Sequence, residues 1–74
     1  MALPIVSSRR AIKALAKAGF QVAGRKGGHI KLKKKTDDKV FVVIVPSHPE
    51  LARGTLKSIL RQAGMTREEF LKLL

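Results

Sequence analysis

The chain has 74 residues, enough for one domain and near the size at which a single core becomes marginal. It is 45% hydrophobic, too apolar for a disordered basic tail, and its lack of cysteine excludes disulfides, zinc ribbons and thiol nucleophiles. Sixteen Lys and Arg against five Asp and Glu give a formal charge of +11, a self-repulsion that usually answers to a polyanionic partner.

The opening MALPIV is too short for the apolar segment of a signal peptide, and no run approaches a membrane span. A soluble, cytoplasmic protein is expected. Ser7 and Ser8 can each cap a helix whose spacing continues to Ala18. On that helix Ala11, Ile12, Leu15 and Ala18 share one side, and Arg9, Arg10, Lys13 and Lys17 share roughly the opposite one. Gly19 is the expected left-handed stop.

Strands follow. Residues 20–26 form the predicted first strand, and Gly27-Gly28 supplies a turn that tolerates positive φ. In HIKLK the alternation is clean: Ile30 and Leu32 face one way, His29, Lys31 and Lys33 the other. The polar run 34–39, centred on Asp37-Asp38, is the predicted hairpin loop. A third strand over 40–45 is apolar on both faces and ends at Pro46.

Helical spacing returns with Leu56, Ile59, Leu60 and Ala63, after Gly54-Thr55 and before Gly64. Thr66 and Glu69 make a capping-box pattern, with Met65 and Phe70 placed for a hydrophobic staple, ahead of a short last helix. The predicted fold is α+β, in the order α-β-β-β-α-α. It is a single domain over residues 1–74, a three-stranded antiparallel meander with helices packed on one face. The third strand then lies at a sheet edge, where helices cover only one side of it. Val40, Val42 and Ile44 are therefore the expected interface for a partner protein.

His29 is the candidate catalytic residue. Histidine is the side chain that exchanges protons most readily near neutral pH, and this one faces away from the core among lysines. RNA carries its own nucleophile in the 2′-hydroxyl, so a protein need supply only proton transfer and charge stabilisation to cleave it. Arg25, Lys26, Gly27, Gly28, Lys31 and Lys33 are the candidate RNA contacts. His48, in the loop after the third strand, is a possible auxiliary group. No metal site and no cofactor are expected. Two histidines without Cys or flanking carboxylates make a poor ligand set, while Asp37-Asp38 suits a turn and Glu68-Glu69 a helix cap. The chain has no Trp or Tyr, and its three Phe fall at core positions, so recognition should lean on the RNA backbone. A non-catalytic RNA-binding module explains the charge equally well. A helix-turn-helix over residues 55–74 fits less well, because its second helix opens on Arg67-Glu68-Glu69, with two acids where DNA would approach.

LAKAGFQVAGRKGGHIKL, followed by VIVPSHPELARGTLKSILRQAGMTREEF, resembles the HicA toxins of toxin–antitoxin modules over about residues 15–70. The shared marks are Gly19-Phe20, the Gly-Gly-His turn, Pro46 with His48, Gly54-Thr55-Leu56 and Ala63-Gly64. The resemblance implies a fold like a double-stranded-RNA-binding domain. It also implies a ribosome-independent endoribonuclease that degrades messenger RNA and is silenced by a HicB-type antitoxin, with His29 at the catalytic position. One departure is Gly28, where many members of that family carry serine.

Overall fold

Local capping chemistry sets most of the helix ends in the computed structural model, which describes residues 3–74. Helix α1 spans Ser8–Lys17, and the Ser7 hydroxyl accepts the Arg10 N–H at 3.1 Å. Its far end closes with paired bonds, Phe20 N–H to Leu15 carbonyl and Gly19 N–H to Ala16 carbonyl, both 3.0 Å. The same closure ends α2, Arg53–Ala63, through Met65 N–H to Leu60 and Gly64 N–H to Arg61. Helix α3, Arg67–Leu73, opens on the predicted capping box, with Thr66 and Glu69 each accepting the other's backbone N–H. Helix α2 begins earlier than its sequence spacing indicates, at Arg53 with Gly54 inside the first turn. Its Ala52 cap makes no side-chain hydrogen bond, and the Arg53 Nε reaches back to the Leu3 carbonyl at 3.2 Å.

The sheet is an antiparallel meander in the order β1-β2-β3, with β1 at Gln21–Lys26, β2 at His29–Lys35 and β3 at Val40–Pro46. Strand β2 runs two residues further than the alternation HIKLK indicates. The hairpin loop shrinks to a turn in which Thr36 and Lys39 exchange backbone and hydroxyl bonds. Gly27 holds φ +59 and Gly28 does not take a positive φ, the pattern of the tight turn that matches strand twist.

All three helices lie on one side of the sheet, giving two layers within 31 × 29 × 18 Å. Between the layers lie Ile30, Leu32, Val43 and Val45 from the strands, Ala11, Ala14 and Leu15 from α1, Leu56, Ile59, Leu60 and Ala63 from α2, and Phe70 from α3. Each large aliphatic side chain buried there contributes about 1.5–3 kcal/mol relative to leaving it in water. Phe20 also enters this core, but as the residue after the α1 stop rather than as part of a strand.

Strand β1 contributes nothing to that core. All six of its residues are exposed, and its register slips between Val22 and Gly24. The N-terminal segment is tied down differently, by a bridge between Val6 and Leu51 and by the Ser8 N–H on the His48 carbonyl. No helix among the described residues is long and apolar enough to cross a membrane.

Candidate functional site

The uncovered face of the sheet is built by strand alternation. Ile30 and Leu32 turn inward to the helices, so His29, Lys31, Lys33 and Lys35 turn outward, and all four are exposed. Residues directly opposite in an antiparallel ladder share a face, so the register identifies their neighbours. On the β3 side His29 faces Pro46, Lys31 faces Ile44, Lys33 faces Val42 and Lys35 faces Val40. On the β1 side His29 faces Lys26, Lys31 faces Gly24 and Lys33 faces Gln21.

The face is therefore striped. A basic column runs down β2, an apolar lane runs beside it on β3, and a lower polar edge flanks it on β1. Val40 is 56% exposed, and Val42 and Ile44 are 38% exposed each. These are the three residues expected at a partner interface, and they stand on the His29 face. None of the chain's five acidic residues lies on the strands that build it.

Most of the sequence-derived candidates meet here. Lys26, Lys31 and Lys33 surround His29, and Gly27-Gly28 form the turn beside it. Arg25 is the exception. It pairs with Ile30, so its side chain leaves the sheet on the helix side. Lys34 is likewise separated from its neighbours: it is half-buried, with its Nζ 5.8 Å from the centre of the Phe20 ring. Arg9, Arg10, Lys13 and Lys17 belong to the helical layer across the sheet, where Lys17 Nζ holds the Leu73 carbonyl at 3.2 Å.

His48 lies two residues beyond Pro46, the ladder partner of His29. Its loop docks on the histidine turn through the Ser47 N–H and the Gly28 carbonyl, 2.6 Å apart. The His48 carbonyl meanwhile receives the first N–H of α1, so this segment joins the turn to the helical layer. A side chain at position 28 would meet nothing within 4 Å, so glycine there is not demanded by space. Among the described residues no group of three His, Cys, Asp or Glu comes together as a metal site would require.

One contributor has no sequence signal in its helical pattern. The Ile44 N–H points out of the β3 edge and is taken by Gln62 Oε1 of α2 at 2.9 Å, while Gln62 Nε2 donates to Ser58 Oγ. With Pro46 lacking an N–H, strand addition is disfavoured at this end of β3, while the face beside it stays open.

Residues 8–65, well over half of the chain, match the family described as HicA toxin of bacterial toxin-antitoxin. Comparison with curated proteins finds no match.

Proposed function

The chain belongs to the HicA toxin family and is the toxin component of a toxin–antitoxin module; from that premise we propose that it is a ribosome-independent endoribonuclease of messenger RNA, with His29 as its proton-transferring group. What supports this is the position of His29. It stands exposed at the head of the β2 column, between Lys26 and Pro46 and two residues from Lys31, on a face the helices leave open. Its ring makes no hydrogen bond to another described residue, leaving both nitrogens to a substrate.

In this chemistry His29 takes the proton of the RNA 2′-hydroxyl. The 2′-oxygen forms a bond to phosphorus and the bond from phosphorus to the 5′-oxygen breaks. The departing oxygen regains a proton from His48 or from water, leaving a 2′,3′-cyclic phosphate and a 5′-hydroxyl. Lys26 and Lys31 offset the charge that grows on the phosphoryl oxygens. None of these steps requires a metal ion or a cofactor, and the substrate would be met in the cytoplasm. The antitoxin, here a HicB-type protein, would cover Val40, Val42 and Ile44 and set acidic side chains against Lys31 and Lys33. Apolar burial would contribute affinity and opposite charge would speed association.

The test is wild type beside His29→Ala, each incubated with RNA in EDTA. Wild type is expected to leave cyclic or 3′-phosphate ends, and RNA with 2′-deoxy residues at the cut should resist. The variant should bind RNA without cutting it, because the lost ring is exposed and leaves no core cavity. Cleavage by His29→Ala at the wild-type rate removes His29 from the chemistry. Binding without cleavage by both proteins makes this a non-catalytic RNA-binding domain.

A further inference from the structure

We infer that the open sheet face takes a single RNA strand lengthwise, with phosphates on the β2 column, bases over the β3 lane, and the scissile bond at one end. This deepens the nuclease reading and rests on it for the position of the cut, but the binding mode can be tested without cleavage.

The stripes carry the argument. His29, Lys31, Lys33 and Lys35 are alternate residues of one strand, so their stems rise about 6.6–6.8 Å apart in a row. Such a row suits successive phosphates of an extended chain. The neighbouring strand lies about 4.7–4.9 Å away, and opposite each column member it presents Pro46, Ile44, Val42 or Val40. A nucleotide whose phosphate meets the column can thus lay its base on an aliphatic surface.

The other flank offers less apolar surface beside His29 and Lys31, although Val22 and Ala23 share a hollow with Lys33 and Lys35 near the far end of the column. Gly24 faces Lys31 with no side chain, and Gln21 faces Lys33 with a polar one. Bases therefore fall to the β3 side, and the lower β1 side leaves room for the backbone. Phe20 and Phe70 are buried, and the half-buried Phe41 belongs to the helix-facing residues of β3. The bases accordingly meet aliphatic rather than aromatic side chains, a contact open to any base.

A duplex gains little on this surface. Its bases are already stacked and paired, and an A-form helix presents sugars and phosphates across its shallow groove. The apolar lane would then meet polar groups.

The column also has a direction. His29 is its first member, since the chain turns at Gly27-Gly28 and β3 ends at Pro46. On one side of His29 lie three further column positions. Beyond it on the other side the column has no further member, and the Gly27-Gly28 turn lies there with the Ser47–His48 segment docked on Gly28. The bound strand should extend about three nucleotides to one side of the cut and hardly at all to the other.

The probe is 2′-O-methyl RNA, which lacks the nucleophilic hydroxyl and so reports binding by wild-type protein. A labelled single strand should bind at least tenfold more tightly than a duplex of equal length. Val42→Ser should weaken it about threefold to tenfold with the circular dichroism spectrum unchanged, and Lys35→Gln should make the salt dependence shallower by about 0.7 in log–log slope. Lys13→Gln, in the helical layer, should change neither. Equal duplex affinity, or a Val42→Ser protein that loses only its antitoxin, overturns the proposal and assigns the lane to the protein partner. For the position of the cut, unmodified RNAs trimmed from either end are digested. A rate that falls on trimming within three nucleotides on one side only is expected, and equal loss on both sides refutes the asymmetric footprint. Should wild type cut nothing, the nuclease reading fails while the binding comparisons still decide how RNA lies on the sheet.

Discussion

Replacing Gly64 by alanine tests whether α2 stops where it does for the reason given. Gly64 holds φ +66 and ψ +30, a left-handed conformation that costs an L-residue roughly 1–2 kcal/mol. A Cβ there would stand 2.8 Å from Phe41 Cε1, closer than real contacts allow, so the ring must move. Phe41 is half-buried and can yield partly, which places that cost near the low end of the roughly 1–3 kcal/mol of overpacking. Alanine also stiffens the unfolded chain, returning about 0.4–1 kcal/mol. The expected net loss is about 2 kcal/mol, or roughly 8–16 °C in melting temperature for a domain of this size. Urea denaturation would measure it as a lowered midpoint at unchanged slope. Gly54→Ala is the control. Gly54 lies in the first turn of α2 without a positive φ, and its Cβ would touch nothing within 4 Å, so this change should leave stability equal or higher. A Gly64→Ala protein within 0.5 kcal/mol of wild type, about the size of an ordinary surface substitution, would refute both the left-handed cap and the Phe41 contact.

Four further expectations follow from the contacts described above. Charge removal at Lys31 or Lys33 should weaken RNA binding more than removal at Lys72 on α3, and equal effects in a filter-binding titration would misplace the binding face. Thr66→Ala should cost about 1 kcal/mol by removing the hydroxyl that caps α3. The Glu69 carboxyl is held below its ordinary range by its bonds to the Thr66 backbone and then to the Thr66 hydroxyl. Its contribution is therefore complete above the ordinary glutamate value and is lost as pH falls through the lower folded value; a melting-temperature profile in acid that is identical for wild type and Glu69→Gln would contradict this. Gln62→Ala should release the Ile44 N–H, seen as faster amide exchange there and greater self-association with concentration. An unchanged Ile44 exchange rate would show that Gln62 does not guard the edge.

The open face depends on a guarded edge. Val40, Val42 and Ile44 are exposed on an outer strand, a configuration that invites pairing with another chain. Gln62 and Pro46 close one end of that edge without covering the face. Side chains thus remain available to RNA or antitoxin while part of the backbone is not. Under the proposed placement of RNA and antitoxin on the same lane and column, the two would compete for this face.

Much of this was decided by local chemistry and could be read along the chain. Period-two alternation in HIKLK sends His29, Lys31 and Lys33 to one face whatever surrounds them, because successive strand residues must point oppositely. The caps at Ser7 and Thr66 and the stops at Gly19 and Gly64 depend on bonds within a few residues, and each formed where those residues stand. What lay beyond local chemistry was pairing at a distance. Alternation alone cannot show that Lys31 stands beside Ile44 rather than beside Val42, since register is fixed only when two strands meet. Nor could it show that β1 slips a residue and leaves the core, that Arg25 turns away from His29, or that Lys34 folds over Phe20 instead of joining the column. The Gln62 clamp and the docking of the His48 loop on Gly28 join residues 18 and 19 positions apart. Such contacts exist only once the helical layer has settled on the sheet, because their partners are brought together by packing and not by sequence neighbourhood.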